Sequence, residues 1–173
     1  DEKYYRGYRL MACDGTSLYI SRNPSDKASY CRENSKEKGY NLLHLNTMYD
    51  LLNRKYIDAV IQPAHQHDER EALYTMVERL SGQARQKNIL IADRGYTSFN
   101  VYEHIEKNKM NYLIRIKDVK KNRVLYGIEM PDTDEFDITV TVFLTNSRSK
   151  GVLRKDREKY VKYISKEIRF DFL

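Results

Sequence analysis

The chain has 173 residues with a formal net charge of +6 at pH 7, and 40% of its residues are hydrophobic. This composition is typical of one globular domain, or of one domain with part of another. It contains no apolar run of membrane-spanning length, and its first residues do not have the pattern expected of a signal peptide. Its two cysteines, Cys13 and Cys31, provide neither a disulfide framework nor a zinc pattern. The excess of positive charge favours an anionic partner such as nucleic acid, although ordinary basic proteins share it.

The first third of the chain contains three strand candidates that predict an antiparallel meander: 8–13, 40–50 and 55–61. Asp14-Gly15 follows the first candidate directly. Asp-Gly between apolar stretches is typical of a hairpin turn, which predicts a partner strand at 17–20. The alternative is that Asp14 is a functional carboxylate at a strand end. Residues 21–38 are polar and predict an exposed loop.

A helix is predicted to begin at Asp68. Its carboxylate can accept from the amide three residues on, and Glu71 can answer it as in a capping box. One face of this helix is apolar, at Leu73, Met76, Val77 and Leu80. Gly82 is a candidate end of the helix. His65 and His67 lie just before it, but no cysteine or third histidine stands at a ligand spacing, so a zinc site is not expected.

A buried strand that runs into a carboxylate lies at 88–96. Four apolar residues precede Asp93, Gly95 permits a sharp turn, and Ser98 is a candidate N-cap for the next helix. The inward side of that helix is predicted to hold Val101, Tyr102 and Ile105. A further strand at 112–116 completes a strand–helix–strand unit with a parallel pair. Ligands gather at the carboxyl ends of such strands, so Asp93 is either a metal ligand or a helix cap.

The order of these elements fits an α/β fold with a ribonuclease-H-like mixed sheet, in which three antiparallel strands are followed by parallel strands with helices. In that sheet the first strand lies beside the fourth. Asp14 and Asp93 are therefore expected to face each other across one cleft.

The chain changes character after Ile116. Residues 117–123 form a basic stretch, which is either a solvated turn or a phosphate-contacting patch. Apolar residues alternate over 137–144 and predict a strand, and 146–151 is a second polar, basic loop. We interpret 119–173 as a truncated β-rich insertion, attached to a core at 1–118 that lacks its last helix.

Three stretches together resemble the DDE transposases of bacterial insertion sequences, in the subgroup with a β-rich insertion before its last catalytic helix. They are Tyr8-Arg-Leu-Met-Ala-Cys-Asp-Gly-Thr16, Asp68-Glu-Arg70, and Ala92-Asp-Arg-Gly-Tyr96 followed by Tyr112-Leu-Ile-Arg115. The resemblance covers most of residues 5–118. It implies that Asp14 and Asp93 are the first two catalytic carboxylates and that both bind metal.

The third carboxylate of that family is a glutamate in a pattern of Tyr, Arg, Glu and Lys. The nearest approach is Glu167 after Tyr160 and Tyr163, where tyrosine replaces the arginine. We therefore expect the glutamate beyond Leu173, and we expect this fragment to be inactive without it.

The resemblance also implies two Mg²⁺ ions, with Mn²⁺ as a substitute, because strand cleavage and transfer build up negative charge that a metal pair can hold. The implied partner is DNA, both transposon ends and target, with a homodimer on the DNA and with neither a membrane nor a small-molecule substrate. The implied location is the bacterial cytoplasm, at the nucleoid. Candidate DNA contacts are Arg94, Arg115, Lys117, Lys120 and Lys121.

Two alternatives remain open on the sequence. One keeps the fold and changes the reaction, to a ribonuclease-H-like nuclease that hydrolyses without strand transfer. The other is a catalytically decayed module that only binds nucleic acid. The role of Tyr96 is also open, since it either packs under the site or touches DNA.

Overall fold

The computed structural model describes residues 1–80, 87–116, 124–125 and 127–145, together with the backbone of 160–163. The strands in these ranges are β1 (Arg9–Ile20), β2 (Tyr30–Cys31), β3 (Tyr40–Asp50), β4 (Lys55–Pro63), β5 (Asn88–Ala92), β6 (Asn111–Ile114), β7 (Val142–Thr145) and β8 (Tyr160–Tyr163). The helices are α1 (Glu69–Arg79) and α2 (Phe99–Lys107), and short 3-10 turns lie at Ala64–Gln66 and Arg94–Tyr96.

The first six strands form one mixed sheet. β3 pairs antiparallel with β1, β2 and β4, whereas β5 pairs parallel with β1 and β6. β1 and β5 are therefore neighbours in the middle of the sheet, with β3 on one side and β6 on the other. The predicted meander, the parallel pair and the ribonuclease-H-like strand order are confirmed. The two-residue β2 lies within the segment that was expected to be a loop.

The hairpin predicted at Asp14-Gly15 is wrong. β1 continues unbroken through both residues, and β3 pairs with all but its first two positions. Gly15 does not have the positive φ that a two-residue hairpin turn of the Asp-Gly type requires. Its role is to allow close approach, because a Cβ there would lie 2.5 Å from His44 Nε2 and 2.9 Å from Asn46 Oδ1.

Both helices pack on one face of the sheet. The core between them contains, fully buried, Met11 of β1, Met48 of β3, Leu90 of β5, Leu73 of α1 and Ile105 of α2. Burial of each such side chain contributes about 1.5–3 kcal/mol to folding. Successive side chains of a strand point to opposite faces. Because Met11 and Cys13 face the helices, Asp14 faces the other side of the sheet.

Helix α1 begins as predicted, with one difference. The Asp68 carboxylate accepts hydrogen bonds from the amides of Arg70 (2.9 Å) and Glu71 (3.2 Å). The reciprocal bond of a capping box is replaced, because the Asp68 amide donates to Gln62 Oε1 at 3.1 Å. The predicted apolar face is buried at Leu73, Met76, Val77 and Leu80. Gly82 lies outside the described residues.

The second helix also matches its prediction closely. α2 begins at Phe99, immediately after Ser98. Val101 and Ile105 are buried, and Tyr102 packs half-buried against the core. The strand predicted at 112–116 is β6, which ends at Ile114.

The strand predicted at 137–144 is wrong over its first half. β7 spans only Val142–Thr145 and pairs parallel with β8. The four-residue β8 supplies hydrogen-bond partners for four residues of β7, so the apolar alternation before Val142 has no paired strand there.

The chain divides into two compact units, one of residues 1–97 and 101–115 and one of 98–100 and 116–173. The division into a core at 1–118 and an insertion at 119–173 remains a prediction, because much of the second range lies outside the described residues. Among the described helices, none combines the length and apolarity needed to cross a membrane.

The close approach at Gly15 predicts that Gly15→Ala is destabilising. The added methyl group would displace three side chains, and such overpacking costs about 1–3 kcal/mol. Urea denaturation followed by circular dichroism measures the change in free energy of unfolding.

Thr16→Ala is the matched control, because Thr16 is exposed in the same strand. It should change the free energy of unfolding by less than about 0.5 kcal/mol. Equal effects of the two substitutions would contradict the close packing at Gly15.

Candidate functional site

Asp14 lies in β1, and Asp93 directly follows β5, the parallel neighbour of β1. The two residues are at corresponding positions along the two chains. Cys13 and Ala92, the residues before them, are register partners in the β1–β5 ladder. Adjacent strands are about 4.8 Å apart, so the backbones at the two aspartates are neighbours. Asp93 keeps an extended backbone, with φ −80° and ψ −179°, so the alternation of β5 continues through it. Because Cys13 and Ala92 both face the helices, the alternation of side chains predicts that the two carboxylates lie on the opposite face of the sheet.

Each carboxylate accepts, through one oxygen, a hydrogen bond from a backbone amide one or two residues further along the chain. Asp14 Oδ1 accepts from the amide of Gly15 at 2.9 Å, and Asp93 Oδ1 accepts from the amide of Gly95 at 2.7 Å. Asp93 therefore caps the 3-10 turn at Arg94–Tyr96, which precedes the helix that it was expected to cap. Both side chains are exposed, and neither Oδ2 makes a hydrogen bond within the described part of the chain.

The donor set is suited to a hard divalent cation. Carboxylate oxygens are the ligands that Mg²⁺ prefers, and two remain available here. The set is incomplete, since the described residues contain no group of three or more His, Cys, Asp or Glu side chains placed to hold a metal ion. Glu167, the weak candidate for a third ligand, lies outside the described residues.

Two of the predicted DNA contacts lie at this end of the sheet. Arg94 follows Asp93 directly, and the amide of Arg115 donates to the carbonyl of Ala92 at 3.2 Å. Both side chains are exposed, and neither forms an ion pair with a described acidic residue. Lys117, Lys120 and Lys121 lie outside the described residues.

The floor of the site is a buried thiol and phenol. Tyr96 is 1% exposed, and the Cys13 thiol donates to its Oη at 3.7 Å. Tyr96 thus packs under the site, which resolves the two roles considered for it. Burial raises the pKa of the Cys13 thiol to about 12 and also raises the pKa of Tyr96. Both groups are neutral at physiological pH.

The first turn of α1 approaches the two glycines whose amides bind the aspartates. Glu69 Oε1 lies 3.1 Å from His44 Nε2 and 3.0 Å from the position of a Cβ on Gly15, while its Oε2 lies 3.9 Å from the corresponding position on Gly95. Arg70 Nη2 donates to the carbonyl of Gly95 at 3.2 Å. A groove of about 310 Å³ beside them is lined by His67, Asp68, Glu69, Arg70 and Gly95.

His44, Glu69 and Arg70 were not predicted as site residues from the sequence. The available signal was a histidine within a strand and an acidic first turn, and both have ordinary structural explanations. His65 and His67 bond backbone carbonyls, of Tyr30 at 2.8 Å and of Ala64 at 2.6 Å.

Comparison with known proteins gives two findings. A family model described as "Transposase DDE domain" matches residues 5–170. A solved structure described as "Crystal structure of a pre-cleavage Mos1 transpososome" overlaps this chain with a TM-score of 0.42 at 13% sequence identity. The overlap covers 69% of this chain and 40% of that one. No curated protein sequence matches the chain.

The buried floor predicts unequal thiol reactivity. At pH 8, iodoacetamide should modify the partly exposed Cys31 and leave Cys13 unmodified, because a thiol with a pKa of about 12 contains almost no thiolate. Mass spectrometry of peptides from a time course measures both rates. In urea both cysteines should react, and fast modification of Cys13 in the folded protein would contradict the described packing.

Proposed function

Because this chain belongs to the DDE transposase family, we propose that it carries out metal-dependent cleavage and transfer of DNA strands, with Asp14 and Asp93 as two of its catalytic carboxylates. The observation that supports the proposal is the register of β1 and β5, in which the residues directly before Asp14 and Asp93 are partners. Both aspartates directly follow the last register pair of the parallel β1–β5 ladder. The carboxyl end of a parallel strand such as β5 is where ligands gather in open sheets.

The proposed cofactor is a pair of Mg²⁺ ions, for which Mn²⁺ can substitute. When bound, such a pair stabilises the charge on the attacking and leaving oxygens of a phosphodiester. Asp14 and Asp93 would supply ligand oxygens, and the hydrogen bonds from Gly15 and Gly95 would fix their orientation. The further carboxylate that the family pattern requires is proposed to come from outside the described residues.

DNA is the proposed substrate. Arg94 and Arg115 are exposed cations beside Asp93, and the chain as a whole carries a formal charge of +6. Neutralising phosphates with such side chains releases counterions, so binding should weaken steeply as salt rises. Lys117, Lys120 and Lys121 remain predicted contacts. A DNA-bound homodimer working on cytoplasmic, nucleoid DNA belongs to the same proposal.

The proposal predicts that Asp14→Asn and Asp93→Asn each abolish strand transfer in the complete gene product. Amides keep the shape of the side chains but lose the charge that binds the cation, so we expect a loss of more than about 100-fold. The parent protein and each variant are incubated with paired transposon-end DNA, labelled target DNA and Mg²⁺. Joined products are then quantified on a denaturing gel.

Asp132→Asn is the control, because Asp132 is an exposed carboxylate remote in sequence from both strand ends. It should retain full activity. Nicked but never joined products would favour the ribonuclease-H-like nuclease, and DNA binding without any cleavage would favour the decayed module.

A further inference from the structure

We propose that Glu69, at the first position of α1, is a positioning residue for the Asp14–Asp93 pair and strengthens its binding of divalent cations. This inference rests on the proposed function and adds to it. Glu69 is the side chain whose two oxygens approach both glycine positions, at Gly15 and at Gly95. Each glycine donates the hydrogen bond that orients one of the two aspartates.

Glu69 lies on the side of β1 opposite to the one that the Asp14 side chain faces. The absent side chain of Gly15 would point to the helix side of β1, where Glu69, His44 and Asn46 converge. Asp14 points to the other side of the same strand. Glu69 therefore acts through the backbone at Gly15 and Gly95 and through its charge, while the aspartates would contact the ions.

The same turn also holds the Asp93 loop directly. Arg70, next to Glu69, donates to the carbonyl of Gly95 at 3.2 Å. His44 is buried on the sheet and meets Glu69 Oε1 at 3.1 Å, which links α1 to β3 as well. The first turn of α1 thus connects the strand that carries Asp14, its neighbour β3 and the loop after Asp93.

A buried acceptor increases the negative potential near Gly15, where Glu69, His44 and Asn46 converge. Asn46 is 0% exposed, and its Oδ1 accepts no hydrogen bond within the described part of the chain. This oxygen lies 2.9 Å from the Gly15 Cβ position that Glu69 Oε1 approaches to 3.0 Å. Leaving a buried acceptor without a donor is unfavourable, and this one lies on the same side of Gly15 as the Glu69 carboxylate. The negative potential of Glu69 and of Asn46 Oδ1 favours binding of cations on the face of the sheet that Asp14 faces.

Capping does not account for Glu69. Asp68 already caps α1 by accepting from two amides. An acidic residue in the first turn interacts favourably with the helix dipole, but Glu71 lies in the same turn and has the same charge. Glu71 is therefore a matched control for charge at the helix start.

The experiment is a titration of the 173-residue chain with Mn²⁺, in which electron paramagnetic resonance measures the concentration of free Mn²⁺. The temperature is kept well below that of unfolding. Glu69→Gln should raise the Kd for Mn²⁺ about tenfold, since residues that support metal ligands change affinity by that order. Glu71→Gln should change the Kd less than about twofold. Glu69→Asp, which keeps the charge but shortens the reach, should give an intermediate Kd and also serves if Glu69→Gln folds poorly.

Asp14→Asn and Asp93→Asn separate this inference from the function on which it rests. If both lose Mn²⁺ binding and Glu69→Gln binds like the parent chain, the positioning role is overturned and the proposed function stands. If neither aspartate variant changes the Kd, the proposed metal site itself fails. If Glu69→Gln lowers the melting temperature and leaves the Kd for Mn²⁺ unchanged, the role of Glu69 is only structural. That result also overturns the inference.

Discussion

The parallel pairing of β1 with β5 is the constraint on which the site depends. β1 precedes α1 in the sequence and β5 follows it. Only the register of the two strands brings Asp14 and Asp93 to corresponding positions along them. A shift of one residue would send one carboxylate to the helix side of the sheet, because side chains alternate between faces. Met11, Cys13, Leu90 and Ala92 oppose such a shift, since each is buried in the core in the present register.

Glycine and α1 complete the arrangement at the strand ends. Gly15 lets polar side chains from β3 and α1 approach the backbone of β1 more closely than any other residue would allow. Gly95 supplies the amide that holds Asp93 and the carbonyl that Arg70 binds. The aspartates are thus oriented by the amides of Gly15 and Gly95, and the first turn of α1 lies close to both glycines. The buried Cys13 and Tyr96 beneath them remain neutral and so add no competing charge.

Much of this fold follows from local sequence patterns. The meander, the Asp68 cap, the buried β5 strand and the helix after Gly95 each have a signal within a few residues, and the structure contains all of them. Asp-Gly at 14–15 was misinterpreted, because the same dipeptide suits a hairpin turn and a close approach within a strand. The side chains that decide between them belong to His44 and Asn46, which are distant in sequence. The candidate pair was predicted because fold order brings two strand ends together, whereas Glu69 was missed because its contacts exist only after α1 packs on the sheet. β7 was predicted too long, since its extent depends on its partner β8.

The most direct test of the central claim is anomalous diffraction from crystals of this chain grown or soaked with Mn²⁺. The account predicts an anomalous peak with Asp14 and Asp93 carboxylate oxygens both at about 2.1–2.3 Å, on the sheet face opposite α1 and α2. A peak bound by only one of the two aspartates, or a separation that no shared cation could bridge, would contradict it.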